Sequence, residues 1–173
     1  MSSINQPMPE NLITRWISTP IGPLEIGVKD NSYYWYFEFK TDQELLDPTN
    51  QHQHALLDLA ESQLKEYFYG NRNTFSELLA FVSEYGTDFQ KQCWQALVQI
   101  PYGETWSYGQ QARYLHKPTA SRAVGAANGK NPLAIVIPCH RVIGASGKLT
   151  GYAGGLDKKQ WLLAFENQQP SLL

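Results

Sequence analysis

Ile135-Val136-Ile137-Pro138-Cys139-His140-Arg141-Val142-Ile143-Gly144 puts a cysteine between a β-branched run and two basic residues, directly after a proline. An apolar run of this length predicts a buried strand, and Pro138 ends its ladder because it has no N–H to donate. Cys139 then sits where a core strand stops. Thiolate is the reactive form of cysteine, and with an ordinary pKa near ~8.5 only a few per cent is ionised at neutral pH. His140 and Arg141 are expected to bias that equilibrium towards thiolate. An isolated free cysteine is more often a small buried hydrophobe than a nucleophile, so the residues further out decide the matter.

Upstream, Thr87-Asp88 is an N-cap pair ahead of Phe89, Trp94, Leu97, Val98 and Ile100 at helical spacing. Cys93, inside this helix beside Trp94, reads as packing. Pro101-Tyr102-Gly103-Glu104 closes the helix, Ser107 caps a short one to Leu115, and Lys117-Pro118-Thr119 breaks it. Thr119 is then expected to cap a third helix from Ala120 to Asn128, and the three together predict a helix-turn-helix. That third helix is slim: Ala120, Ser121, Ala123, Gly125, Ala126 and Ala127 leave Arg122 almost its only long side chain. Tight helix packing alone would explain the small residues. A helix that reads the major groove carries Arg, Asn or Gln for base edges, whereas a slim one with a single Arg suits the narrower minor groove. Downstream, Gly151-Tyr152-Ala153-Gly154-Gly155 is a flexible loop, and a last helix runs from Asp157 to Glu166.

The preceding half has a different texture. Residues 1–11 are polar with two prolines, and Leu12–Ser18, Gly22–Lys29 and Ser32–Phe39 read as three strands of an antiparallel meander. The aromatic run Tyr33-Tyr34-Trp35-Tyr36-Phe37 within the last of these suits core packing better than base stacking. Thr41–Gln53 is irregular, and Ala55–Phe68 has the spacing of an amphipathic helix that would cover the sheet. His52-Gln-His54 resembles a metal pair but has no third or fourth ligand nearby, which favours a capping or solvent role. Gly70-Asn71-Arg72-Asn73 ends the helix, and residues 70–87 are expected to be a linker. The fold class predicted is α+β. A small N-terminal antiparallel sheet with a helix (1–86) joins a helical domain (87–173) containing a winged or plain helix-turn-helix and the cysteine.

Charge divides along the same line. Up to residue 90 the chain has 5 Lys/Arg against 13 Asp/Glu; beyond it, 9 against 3. A basic half suits phosphate contact and an acidic half suits solubility. No apolar run approaches the ~20 residues that span a bilayer, and the first residues lack the basic and apolar regions of a signal peptide. Two cysteines kept as thiols fit a reducing compartment, so a cytoplasmic protein with no membrane association is expected.

Pro138-Cys139-His140-Arg141-Val142, with Ser121-Arg122-Ala123-Val124-Gly125 before it and Gly151-Tyr152-Ala153-Gly154-Gly155 after, resembles the O6-alkylguanine-DNA alkyltransferases, or methylated-DNA–protein-cysteine methyltransferases. The resemblance is strong from about Phe89 to Glu166; earlier, only the layout agrees. It implies that Cys139 accepts the alkyl group from a base flipped out of double-stranded DNA carrying O6-alkylguanine, or O4-alkylthymine, bound through the minor groove. It further implies that Arg122 takes the place of the extruded nucleotide within a DNA-contacting helix that includes Ser121, Ala123 and Gly125. By the same resemblance Tyr108 is expected to donate to guanine N3, and Glu166, the acid of Trp161-Leu162-Leu163-x-x-Glu166, to orient His140. Adjacent side chains do not face each other on a helix or strand, so His140 would reach the sulfur through a water. On the same resemblance Asn131 is expected to brace the turn before the cysteine, Tyr152 to form a pocket wall, the carbonyls of Cys139 and Val142 to accept from the guanine amino group, and Ala153, a Ser in some relatives, to contribute only a backbone contact. The thioether product is permanent, so the protein is expected to react once; with no phosphate loop, methyl-donor site or metal cluster visible and no cysteine before Cys93, neither cofactor nor metal is expected, and a monomer is expected. Alkyltransferase-like proteins use the same fold to bind lesions without chemistry, and they characteristically replace the cysteine that is retained here.

Overall fold

The computed structural model describes residues 12–33, 38–39, 54–82 and 85–168. Its described residues fall into two compact units that divide between Val82 and Tyr85.

In the first unit, β1 (Ile13–Ile17) and β2 (Leu24–Lys29) pair antiparallel, with Ile13 opposite Val28 and Ile17 opposite Leu24. Asp30 and Asn31 turn the chain with φ of 50° and 58°. This is the two-residue hairpin geometry that short polar side chains tolerate in left-handed conformation. Both β3 (Ser32–Tyr33) and β4 (Glu38–Phe39) pair with β2, so the ends of the predicted third strand lie in the sheet. The aromatic stretch 34–37, like 1–11 and 41–53 with His52, falls outside the described residues. Helix α1 (Ala55–Phe68) lays Leu56, Leu57, Ala60, Leu64 and Tyr67 into the core. Arg15 of β1 donates to Asp58 and Glu61 of α1 at 2.6 and 3.2 Å. His54 caps α1, its Nδ1 accepting from Leu56 N–H. Gly70, at φ 78°, closes it, and Asn71 N–H reaches back to Glu66 O. The expected linker is partly structure: α2 (Ser76–Leu79) lies within it, Phe75 and Leu78 are buried, and the Phe75 ring stands 5.7 Å from that of Tyr67. Two apolar side chains in reach of α1 are enough to pack a segment whose composition reads as loop.

In the second unit, α3 (Asp88–Val98) and α4 (Tyr108–Tyr114) each start with a capping box, Thr87 with Gln90 and Ser107 with Gln110. Helix α5 (Ser121–Asn128) starts one residue later than expected, and Thr119 does not cap it; the N-cap is Ala120, with no side-chain cap. Strands β5 (Trp106–Ser107) and β6 (Val142–Ile143) pair in parallel. The predicted strand over Ile135–Ile137 is absent. All three residues are buried, but residues 134–136 form turns, Ile137 N–H bonds Leu133 O at 2.9 Å and Ile135 has φ 73°. Burial without alternation cannot distinguish a strand from a buried turn. Cys139–Arg141 is a single 3₁₀ turn, and the chain ends its described course in α6 (Leu156–Gln168). No helix among the described residues is long and apolar enough to cross a membrane.

Candidate active site

The 3₁₀ turn decides where the three polar residues go. Cys139 N–H bonds Ile137 O at 2.8 Å, Arg141 N–H bonds Pro138 O at 3.0 Å, and the next N–H, of Val142, returns to Cys139 O. The tight turn sends His140 and Arg141 inward, where α6 presents Lys159, Leu162 and Glu166 on one buried face.

Glu166 is the hub. Its Oε1 stands 2.7 Å from His140 Nε2 and accepts from Arg141 Nη2 at 2.9 Å; its Oε2 accepts from Arg141 Nε at 2.9 Å. Arg141 Nη1 also donates to Ile100 O at 2.8 Å, and the guanidinium lies 5.5 Å from the Tyr102 ring centre. Burial pushes the Glu166 carboxyl up, but His140 and Arg141 outweigh it and hold the group well below the usual carboxylate range. Burial lowers the His140 pKa more than Glu166 raises it, so the imidazole is neutral. With an ionised carboxylate at Nε2, that nitrogen carries the proton and Nδ1 is left as an acceptor. Nδ1 is buried without a hydrogen-bond partner among the described residues.

Cys139 keeps partial exposure as a residue, while its thiol lies in an interior that pushes its pKa up. The Asn131 side chain and Lys159 act in the opposite direction. Arg141 was expected to favour the thiolate and is instead spent on Glu166 and Ile100, while His140 stays neutral. The cation whose charge favours the thiolate is Lys159, which the sequence did not single out. It is fully buried, and its Nζ donates to Val142 O at 2.6 Å, Thr150 O at 2.9 Å and Gly151 O at 3.3 Å. The available signal was its spacing, since 159, 162 and 166 recur on one helical face.

The remaining site residues surround this cluster. Tyr108, at the start of α4, donates to Thr150 O at 2.9 Å, and its ring meets the α5 backbone at Gly125, where a Cβ would stand 3.5 Å from Cε1. Tyr152 buries its hydroxyl, whose pKa burial drives well above 10, with Cys139 adding to the rise. Ala153 is exposed. Asn131 donates to Ile137 O at 2.6 Å and accepts from Leu133 N–H at 2.9 Å, tying the end of α5 to the cysteine turn. The carbonyl of Val142 already accepts from Lys159 and that of Cys139 from Val142 N–H, leaving each one lone pair for another donor.

Helix α5 presents Arg122, Ala123 and Ala126 to solvent, with Ser121 and Gly125 half-buried, and turns Val124, Ala127 and Asn128 inward. Trp94 Nε1 donates to Ala127 O at 2.9 Å. Gln111 and Asn128 exchange amide hydrogen bonds at 2.8 and 3.0 Å, and Gln111 also donates to Cys93 O at 3.1 Å. Three helices thus share one buried polar network. The Cys93 thiol, buried against it, is pushed up to about 11. No group of three or more His, Cys, Asp or Glu among the described residues is placed to hold a metal ion. The arrangement offers a nucleophile beside a neutral base that a carboxylate orients, and a slim, solvent-facing helix whose end is tied to the cysteine turn by Asn131.

Residues 88–168 match the family model described as 6-O-methylguanine DNA methyltransferase, DNA binding domain. Over 153 residues the chain is 47% identical to the methylated-DNA–protein-cysteine methyltransferase of Methanosarcina acetivorans, covering 86% of this chain and 94% of that one. The crystal structure of Mycobacterium tuberculosis O6-methylguanine methyltransferase superposes with a TM-score of 0.77 at 41% identity, covering 92% of this chain and 95% of that one. The same organism's protein in complex with DNA gives 0.75 at 43% identity, with 90% and 93% covered.

Proposed function

The chain belongs to the methylated-DNA–protein-cysteine methyltransferase family, and we propose that it repairs DNA by moving the alkyl group of O6-alkylguanine irreversibly onto Cys139. The observation that carries this reading is the buried His140–Glu166 contact of 2.7 Å, which leaves His140 Nδ1 as an open acceptor one residue from the thiol. A water between Nδ1 and Cys139 takes the thiol proton towards the imidazole, and Glu166 stabilises the charge that develops there. The sulfur attacks the alkyl carbon in line; the C–S bond forms as the C–O6 bond breaks, and guanine leaves. Its departure as an anion is eased by the Tyr108 hydroxyl, which turns from Thr150 O to guanine N3.

DNA is the partner of the domain at 88–168. In this reading the lesion strand enters from the minor groove, where the small outer face of α5 permits close approach. Arg122 fills the gap left by the flipped base, and Ser121, Ala123 and Gly125 lie along the backbone. Tyr152 walls the pocket, Ala153 meets the base through its backbone, and the free lone pairs of the Cys139 and Val142 carbonyls take the guanine amino group. Asn131 keeps the α5 end and the cysteine turn in register. The division near residue 86 separates this domain from an N-terminal one without a part in the chemistry. The protein acts as a monomer, and O4-alkylthymine is a further candidate substrate.

Incubation with a duplex oligonucleotide containing O6-methylguanine should add the mass of one methyl substituent to the Cys139 peptide and stop at one equivalent per chain. Absence of that mass after prolonged incubation, or continued turnover, would reject the proposal.

A further inference from the structure

We propose that Tyr102 is a positioning residue for alkyl transfer: its ring is a lid that keeps the Arg141–Glu166 pair out of water and so holds the carboxylate against His140. This rests on the alkyl-transfer reading above. Along the sequence, Pro101-Tyr102-Gly103-Glu104 only closes α3. In the fold it is a tight turn, with Glu104 N–H bonded to Pro101 O at 3.0 Å and Gly103 at φ 81°. Ile100 and two residues of this turn reach the hub. Ile100 O accepts from Arg141 Nη1 at 2.8 Å, the Tyr102 ring centre lies 5.5 Å from the Arg141 guanidinium carbon, and a Cβ on Gly103 would stand 3.5 Å from Glu166 O.

The burial pattern shows where the ring acts. Arg141 and Glu166 are 5% and 2% exposed, whereas Tyr102 is half-buried, so its ring stands at the boundary between the ion pair and solvent. An aromatic face suits that place twice over, because it excludes water and attracts the cation. Exclusion matters because the pull of Glu166 on a developing imidazolium grows as the local dielectric falls. The Tyr102 phenol is pushed up to about 12, by burial and then by Glu166, with Arg141 opposing, so the lid itself stays neutral. His140 is faced by Glu166 and Lys159 from α6 and by Arg141 from its own turn, with the Cys139 thiol and the Tyr152 hydroxyl in the adjoining cluster. Tyr102 acts on this group through Arg141 and Glu166.

Two measurements on the full chain test this, one with DNA and one without. In Tyr102→Ala, single-turnover methyl transfer from the O6-methylguanine duplex should slow by about tenfold at neutral pH, while duplex affinity stays within about threefold of the parent. The acid limb of its transfer profile should move to higher pH, because burial is the chief cause that keeps His140 neutral. Without DNA, the imidazole nitrogen chemical shifts of His140, assigned against His140→Asn, should pass from the neutral Nε2–H form to the cation at higher pH than in the parent. Tyr102→Phe keeps the ring and should restore both the parent rate and the parent titration. Gly103→Ala keeps the ring but strains the turn at its positive φ, and should displace the His140 titration in the same direction as Tyr102→Ala. Transfer by Tyr102→Ala within about threefold of the parent, an unmoved His140 titration, or a Tyr102→Phe variant as slow as Tyr102→Ala would overturn the proposal. If Tyr102→Ala does not fold, an unmoved titration in Gly103→Ala overturns it instead. Failure of the parent to take up methyl from the oligonucleotide would strike the alkyl-transfer reading, while the His140 titration would still report on Tyr102.

Discussion

Glu166 accepts from three donor atoms at once, and its two partners are not equivalent. Arg141→Met takes away the paired cation and leaves a buried carboxylate beside a neutral imidazole. Breaking a buried pair from one side costs ~3–5 kcal/mol, so this variant should lose about that much stability in denaturant unfolding. Glu166→Gln keeps the volume and removes the charge that stabilises imidazolium. Single-turnover transfer should fall by roughly 10²–10⁴-fold, the usual share of a positioned base. A rate within threefold of the parent would show that His140 needs no carboxylate. Both residues illustrate what a sequence conveys at this scale. Cys139 could be picked out because its neighbours are informative. The duties of Arg141 and Lys159 could not, because they are set by carbonyls at 100, 142, 150 and 151 that only folding brings together.

Among the elements, α5 depends most on its supports, having no side-chain cap and small residues along much of its length. The Gln111–Asn128 pair is buried and reciprocal, so replacing either residue by Leu strands the other amide at a cost of ~1–3 kcal/mol. The double Gln111→Leu/Asn128→Leu variant should recover most of that, because both polar groups leave together. Equilibrium unfolding of the four proteins measures the coupling, and additive losses would mean that the amides do not act as a pair. Elements written in local chemistry were readable. The capping boxes at Thr87 and Ser107 lie within four residues of sequence, and α1 carries a full amphipathic period. Ile135–Ile137 was misread because a β-branched residue at φ 73° is improbable on local grounds. The side chain of Asn131, bonded to both ends of the turn, and the Ile137 N–H bond to Leu133 O hold that geometry. Residues 76–79 escaped notice for a related reason, since a one-turn helix offers too few positions to show a period.

Over the whole molecule, these buried groups leave a signature in the dependence of stability on pH. Unfolded histidine takes up a proton near ~6.5, whereas burial keeps His140 neutral to lower pH. The unfolded state then binds more protons, and stability falls as pH drops below about 6.5. Glu166, depressed in the fold, adds a second loss below about 4.3, where unfolded carboxyls protonate and the native one does not. The sign reverses for the thiols. Burial raises Cys139 and takes Cys93 up to about 11, so both hold protons that unfolded thiols release near ~8.5, and stability falls as pH rises past that point. Unfolding midpoints should therefore peak between about pH 6.5 and 8.5, and each thiol should add a slope of about 1.4 kcal/mol per pH unit on the alkaline side. Cys93→Ala should remove one share of that slope, and Cys93→Ala/Cys139→Ala both, leaving the acid limb unchanged. A single-variant alkaline limb as steep as the parent's would mean that Cys93 ionises in the fold as readily as in the unfolded chain. The measurement thus asks, without DNA, whether the interior that shelters Cys139 also holds its thiol protonated until the base arrives.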